Sequence, residues 1–156
     1  MGKNVVVFDI DGTLANNDHR QHHLDKSPKD WDGFFSEMDK DTLNEAVTVI
    51  HGIMAEWLEF NGKEIASRFT IILLTGRTER WRLKTEDWLD CHDIIRDQLI
   101  MRADDDRRED HEYKEAWLKE SGLKDQILFV IEDRSRVVDM WRRNGITCFQ
   151  CAKGDY

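Results

Sequence analysis

The chain has 156 residues, 40% of them hydrophobic with six Trp and seven Phe, and 35% charged. That is enough to bury the core of one domain, and it excludes a disordered chain. A net charge of −9 argues against a protein that coats long nucleic acid through a basic face, while leaving room for a small basic pocket. Val5–Phe8 comes first, an apolar run rich in β-branched residues that reads as a strand buried on both faces. It ends in Asp9-Ile10-Asp11-Gly12-Thr13. Carboxylates at i and i+2 of an extended chain point the same way, and Gly12 lets the backbone turn away beneath them.

Asn16 to Lys29 is polar and histidine-rich and reads as a loop over the strand end. Ser27-Pro28 places a cap before a first-turn proline, with Asp30 in the first turn and Trp31, Phe34, Phe35 and Met38 at helical spacing. Thr42-Leu43-Asn44-Glu45 fits a capping box that opens a second helix. Its expected apolar stripe is Leu43, Val47, Ile50, Met54, Trp57 and Leu58, and Asn61-Gly62 should end it. Phe69–Leu74 is a second buried strand ending in Thr75-Gly76-Arg77, and a helix carrying Trp81, Trp88 and Leu89 follows. Leu99–Met101 is a third strand, and Arg102 to Glu112 reads as a charged, solvated loop. A helix with Tyr113, Lys114, Trp117 and Leu118 stops at Ser121-Gly122. Ile127–Ile131 is the fourth strand, again closed by two acids, Glu132 and Asp133. A helix with Val137, Val138, Met140 and Trp141 stops at Asn144-Gly145, and Ile146–Gln150 is the last strand.

Strands alternating with helices predict an α/β fold, a Rossmann-like open parallel sheet of about five strands with helices on both faces. A small helical insert over 16–62 follows the first strand, and the whole of 1–156 reads as a single domain. No apolar run approaches the roughly 18 residues of a membrane span, and the first one is a strand rather than a signal peptide. The expected compartment is the cytoplasm, with no membrane partner. Cys91, Cys148 and Cys151 do not make a disulfide framework, and the C-x-x-C of Cys148 and Cys151 reads as core packing. His19, His22 and His23 cluster without matching a metal-binding spacing and read as a solvated loop.

The chemistry lies at the strand ends. Asp9, Asp11, Glu132 and Asp133 would bring four carboxylates to one edge of the sheet. Two like charges ~4 Å apart repel by about 4 kcal/mol at an effective dielectric of 20. Such a cluster calls for a cation, and an all-oxygen shell suits Mg²⁺. Thr75, the Gly76 amide and Lys114 supply donors for a transferring phosphoryl group.

Asp9 to Thr13, Thr75-Gly76, Lys114 and Glu132-Asp133 together, in that order, resemble the four motifs of the haloacid-dehalogenase-like (HAD-like) phosphatases. The resemblance implies a fold of that type, Asp9 as nucleophile, Asp11 as general acid and base, Thr75 and Lys114 on the phosphate, and Mg²⁺ held by the acidic residues Asp9, Asp11, Glu132 and Asp133. Glu132 departs from the family's aspartate by one methylene. A narrower resemblance, to the 3′-phosphatase domain of phage polynucleotide kinase, spans nearly all of the chain and rests on Asp9 to Ala15, Arg20, Thr75 to Arg77, Asp110 with Lys114, Glu132 to Arg143, and the ending Ala152 to Tyr156. It implies that Arg20, Gly76, Arg77 and Asp110 bind substrate. No G-x-x-x-x-G-K-[ST] occurs, so no kinase domain is expected. The expected reaction is Mg²⁺-dependent hydrolysis of a phosphomonoester through an aspartyl phosphate, at a 3′-phosphorylated nucleic acid end. Hydrolysis of free nucleotides or other small phosphoesters is the alternative, and a non-catalytic binding subunit is the third reading. A homodimer is compatible with the sequence.

Overall fold

In the computed structural model, residues 4–56 and 69–154 are described. Five parallel strands form the central sheet: β1 (Val5–Phe8), then, after a two-residue ribbon β2 (Ala15–Asn16) and β3 (Thr42–Leu43), β4 (Thr70–Thr78), β5 (Gln98–Arg102), β6 (Ile127–Arg134) and β7 (Cys148–Gly154). Their order is β5-β4-β1-β6-β7, so the direction of winding reverses at β1. Ligand crevices of open α/β sheets lie beyond the strand ends at such a point.

Alternation along β1 divides the core. Val5 and Val7 face α4 (Asp110–Ser121) and α5 (Ser135–Arg143), packing with Tyr113, Leu118, Val138 and the fully buried Trp141. Val6 and Phe8 face the other side, toward Val47 and Ala55 of α2 (Glu45–Glu56) and Trp88 and Leu89 of α3 (Arg82–Cys91). Helices thus cover both faces, as the strand–helix alternation predicted. Gly122 (φ 67°) and Gly145 (φ 78°) follow α4 and α5 in the left-handed conformation that ends a helix at low cost in glycine. None of the helices among the described residues is long and apolar enough to cross a membrane.

The segment after β1 differs from expectation. Asp30, not Ser27, caps α1 (Trp31–Ser36), its side chain accepting from the Gly33 amide at 2.8 Å. Thr42 and Leu43 do not open α2; their backbone pairs with Asn16 and Ala15, which places the helix start at Glu45. The α2 face that meets the sheet is Val47, His51 and Ala55, whereas Ile50 is exposed. Trp57, Leu58, Asn61 and Gly62 lie outside the described residues. The insert is therefore a cap between β2 and β3: a 3-10 turn over Asp18–His23, then α1, then a second 3-10 turn over Met38–Lys40. Its own small core joins Leu24, Phe34, Phe35 and Met38, with Trp81 against it.

His51 meets the edge of the Phe8 ring and donates Nε2–H to the Ile95 carbonyl at 2.8 Å. Burial lowers its pKa below 6.5. The unfolded chain then binds a proton that the folded chain excludes, so this residue costs stability as pH falls through the unfolded value and toward the folded one. His51→Gln keeps a donor for Ile95 and removes the titration. Its urea midpoint should fall less than wild type's between about pH 7.5 and about pH 5.5. Equal pH slopes for the two proteins would show that His51 does not titrate differently on folding.

Candidate active site

The apolar parts of β1, β4 and β6 end side by side. The parallel register sets Phe8 beside Leu73 on one side and Ile131 on the other, so the residues that follow all emerge at one edge. β4 and β6 do not stop there, as the run of apolar residues suggested. β4 continues to Thr78 opposite Arg102 of β5, and β6 to Arg134 opposite Gly154 of β7. β7 correspondingly runs from Cys148 to Gly154, later than the Ile146–Gln150 expected. Edge pairing thus holds the acids and Thr75 on rigid backbone.

One carboxylate oxygen from each of Asp9, Glu132 and Asp133 lies within 4.8 Å of the others, and all three residues are buried. Lys114, 1% exposed, reaches in from α4 and donates to Asp9 Oδ1 at 2.7 Å and Glu132 Oε2 at 2.8 Å, with Asp110 Oδ2 at 3.4 Å. The extra methylene of Glu132 lets its other oxygen fold back to accept from the Asp133 and Arg134 amides at 3.2 and 3.3 Å. Thr13 Oγ1 lies 3.4 Å from Asp133 Oδ1.

Too much negative charge is gathered here for one lysine to neutralise. Burial above all, and then the neighbouring Glu132, push the Asp9 carboxyl up to about 8 against the pull of Lys114. Burial likewise takes Glu132 to about 7, and burial with Asp9 takes Asp133 to about 6. A divalent cation bound by oxygens would offset that excess, and the donor set fits one. Lys114 is held well above its usual range by Asp110, Asp9 and Glu132, which outweigh its desolvation.

Asp11 is set apart from this cluster. Its carboxylate takes Arg77 Nε and Nη2 at 2.9 and 2.7 Å and Arg20 Nη2 at 2.5 Å. Burial opposes its ionisation, but Arg77 and Arg20 prevail and hold it far below the usual carboxylate range. Gly12 (φ 81°) makes the turn that follows Asp11, closed by Gly12 N–H to Ala15 O at 2.9 Å. Of the four acids expected around a metal, the structure gathers three, and the Asp11 side chain faces cations instead.

Arg20 and Arg77, expected to grip substrate phosphate, are both fully buried. Their donors are taken up by Asp11 and by Asp41, a residue the sequence reading passed over. Asp41 is buried at the end of the cap and accepts from Arg20 Nε at 2.7 Å and Nη2 at 2.5 Å, with Arg77 Nη2 at 3.4 Å. The buried Asp41 and the half-buried Asp11 carboxylate both need cations, which is why the guanidiniums turn inward. Arg20 also stacks its guanidinium 4.0 Å over the Phe34 ring, tying the 3-10 turn to α1 within the cap while its Nη2 holds Asp11 at the sheet edge.

Thr75 is buried, and its Oγ1 accepts from the Arg77 amide at 3.2 Å. A Cβ on Gly76 would stand 2.6 Å from Asp110 Oδ1, so only glycine admits that close approach. Asp110 caps the charge network from the first turn of α4, 3.1 Å from Arg102 Nη2 and 3.7 Å from Arg134 Nη1. Burial raises its pKa, but Lys114, Arg134 and Arg102 outweigh this and keep it ionised. Arg102 was missed because it opens the charge-rich stretch Arg102 to Glu112 that reads as solvated, and Arg134, within the run Glu132 to Arg143 that carries the resemblance, was given no role. Gly154 was missed too. A Cβ there would stand 2.9 Å from Asp133 Cγ, so the bare β7 backbone presses directly on that carboxylate.

Residues 3–156 match the family model of the polynucleotide kinase PNKP phosphatase domain. A chain in the structure of the Pnkp1/Rnl/Hen1 RNA repair complex superposes with a TM-score of 0.76 at 32% identity, covering 97% of this chain and 43% of that one. A chain in a second Pnkp1/Rnl/Hen1 structure gives 0.78 at 30% identity, covering 99% and 48%. This chain therefore spans less than half the length of either. A hydrolase from Streptococcus pneumoniae shares the fold at 13% identity and a TM-score of 0.58, covering 96% and 92%.

Proposed function

Because the chain belongs to the polynucleotide kinase PNKP phosphatase-domain family, within the HAD-like phosphatases, it is a phosphatase, and we propose that it removes the 3′-phosphate from nucleic acid ends with Mg²⁺ bound at the acidic cluster. The observation that carries the reading is the buried group of Asp9, Glu132 and Asp133 around Lys114, with Asp11 clamped separately beside it. The match to a chain of an RNA repair complex supports a role in nucleic acid repair.

Asp9 attacks phosphorus in line, forming the Asp9 Oδ–P bond as the P–O bond to the leaving 3′-oxygen breaks. The Asp11 carboxyl gives its proton to that oxygen, and the free carboxylate then takes one from the water that cleaves the acyl phosphate. The resting clamp of Arg20 and Arg77 suits the second role, since it keeps Asp11 ionised. For the first role, entry of a phosphate dianion must draw the arginine donors from Asp11 and let its pKa rise. Bound at Asp9, Glu132 and Asp133, Mg²⁺ supplies charge that offsets repulsion between an anionic nucleophile and an anionic phosphoryl group. Thr75, the Gly76 amide and Lys114 orient the phosphoryl oxygens, and Asp110 fixes Lys114 from one helical turn away.

With net charge −9, recognition should be confined to the strand end. Each phosphate contact on a single strand contributes a salt slope of only about −0.7. The expected result is a higher kcat/KM for a short 3′-phosphorylated oligonucleotide than for its 5′ isomer, with little gain from lengthening it. Equal or faster hydrolysis of the 5′ isomer, or of an unrelated sugar phosphate, would leave a general small-molecule phosphatase.

A further inference from the structure

The histidine-rich turn, unremarkable by spacing, gains a third partner in the fold. His22 and His23 end the 3-10 turn of the cap and Glu37 follows α1, and one ligand atom from each lies within 4.8 Å of the others. This group shares no residue with the acidic cluster of Asp9, Glu132 and Asp133.

Both imidazoles are anchored through Nδ1. His22 Nδ1 lies 3.1 Å from the His19 carbonyl oxygen, which only accepts, so Nδ1 carries the proton and Nε2 keeps its lone pair. His23 Nδ1 lies 3.2 Å from Asp30 Oδ2, and its Nε2 lies 3.4 Å from Glu37 Oε2. A carboxylate behind one ring nitrogen orients a histidine for metal ligation through the other and makes it more basic. Asp30 is itself fixed, as the cap of α1 through Gly33 N–H, and by Lys26 Nζ at 2.6 Å. Lys26 Nζ, which only donates, also stands 3.3 Å from His23 Nδ1, so the His23 proton is on Nδ1 when it faces Asp30 and on Nε2, toward Glu37, when Lys26 donates to Nδ1. The His23 ring rests on the bare Gly33 backbone, where a Cβ would stand 2.6 Å from Cε1. The two rings lie 4.1 Å apart between centroids.

We propose that His22, His23 and Glu37 bind a transition-metal ion of the Zn²⁺ class on the cap. Two imidazole nitrogens and one carboxylate leave a fourth position to water, a donor set that suits Zn²⁺ over the harder Mg²⁺. The side chains of His23 and Glu37 are 14% and 31% exposed, so solvent reaches that position. The ion would tie the 3-10 turn to the end of α1 across 14 residues, and that turn also carries Arg20, which holds Asp11. The proposal is independent of the phosphatase substrate.

Tag-free protein, kept in saturating Mg²⁺ to fill the acidic cluster, is titrated with Co²⁺ by visible absorption and with Zn²⁺ by calorimetry. About one equivalent of Co²⁺ should give the bands of a four-coordinate ion, displaced by Zn²⁺. His22→Ala and His23→Ala should each weaken Zn²⁺ binding by roughly tenfold or more and abolish the rise in Tm that Zn²⁺ produces. If His23→Ala fails to fold, the exposed His22 decides the matter alone. Asp9→Asn should leave the cobalt spectrum unchanged, and its loss there would assign the ion to the acidic cluster. That result, unaltered Zn²⁺ affinity in His22→Ala, or no stoichiometric binding by the wild type would each overturn the proposal.

Discussion

Asp9→Asn should abolish phosphatase turnover while the protein remains folded. The substitution keeps the side chain's shape and an oxygen to accept from Lys114, which now sits 2.7 Å from Asp9 Oδ1. It removes the anion proposed to attack phosphorus, and losing a covalent nucleophile costs about 10³-fold or more in kcat. The fold should tolerate the change to within about 1 kcal/mol, because a buried carboxyl already pushed up to about 8 loses little by becoming a neutral amide. Phosphate release from a 3′-phosphorylated oligonucleotide and a thermal melt measure the two effects. Near wild-type turnover in Asp9→Asn would rule out the aspartyl phosphate. Full activity of the wild type in EDTA would separately exclude an essential divalent ion at the acidic cluster.

Lys114→Met should damage stability as well as activity. Lys114 is 1% exposed and stands between Asp9, Glu132 and Asp110, all within 3.4 Å. Methionine fills similar volume without the cation, leaving buried carboxylates facing one another. Removing one partner of a buried ion pair costs about 3–5 kcal/mol. The deficit should be largest above about pH 8, where wild-type Asp9 and Glu132 are ionised beside Lys114, and shrink as pH falls below about 7, where both are already protonated. Urea denaturation at about pH 9 and about pH 6 checks this, and Mg²⁺ should restore part of the loss at the higher pH. A variant as stable as wild type at about pH 9 would mean that Lys114 does not offset the charge of these acids.

Where the sequence reading succeeded, the deciding interactions were between near neighbours in the chain. The β-branched run at Val5–Phe8 and the glycines after α4 and α5 express local preferences, and β1 and those helix ends formed where their own residues favour them; the order of Asp9, Thr75, Lys114 and Glu132-Asp133 is legible in the chain without any contact. The resemblance to a phosphatase family rested on that order, and the parallel sheet then brought the acids to one edge, as β1, β4 and β6 in register must.

Tertiary structure decided which way the charged side chains face. Arg20 and Arg77 look like surface phosphate grips until Asp41, 21 and 36 residues away, draws them inward. Helical periodicity favours Ile50 as much as His51, but the sheet accepts Val47, His51 and Ala55 and leaves Ile50 in solvent. Nothing in the spacing of His22 and His23 announces Glu37, which reaches them only because Gly33 lets the His23 ring lie against α1. A buried charge must find a partner wherever the chain can bring one, so its environment is set by distant residues, whereas a strand or a helix stop is chosen within a few residues of itself.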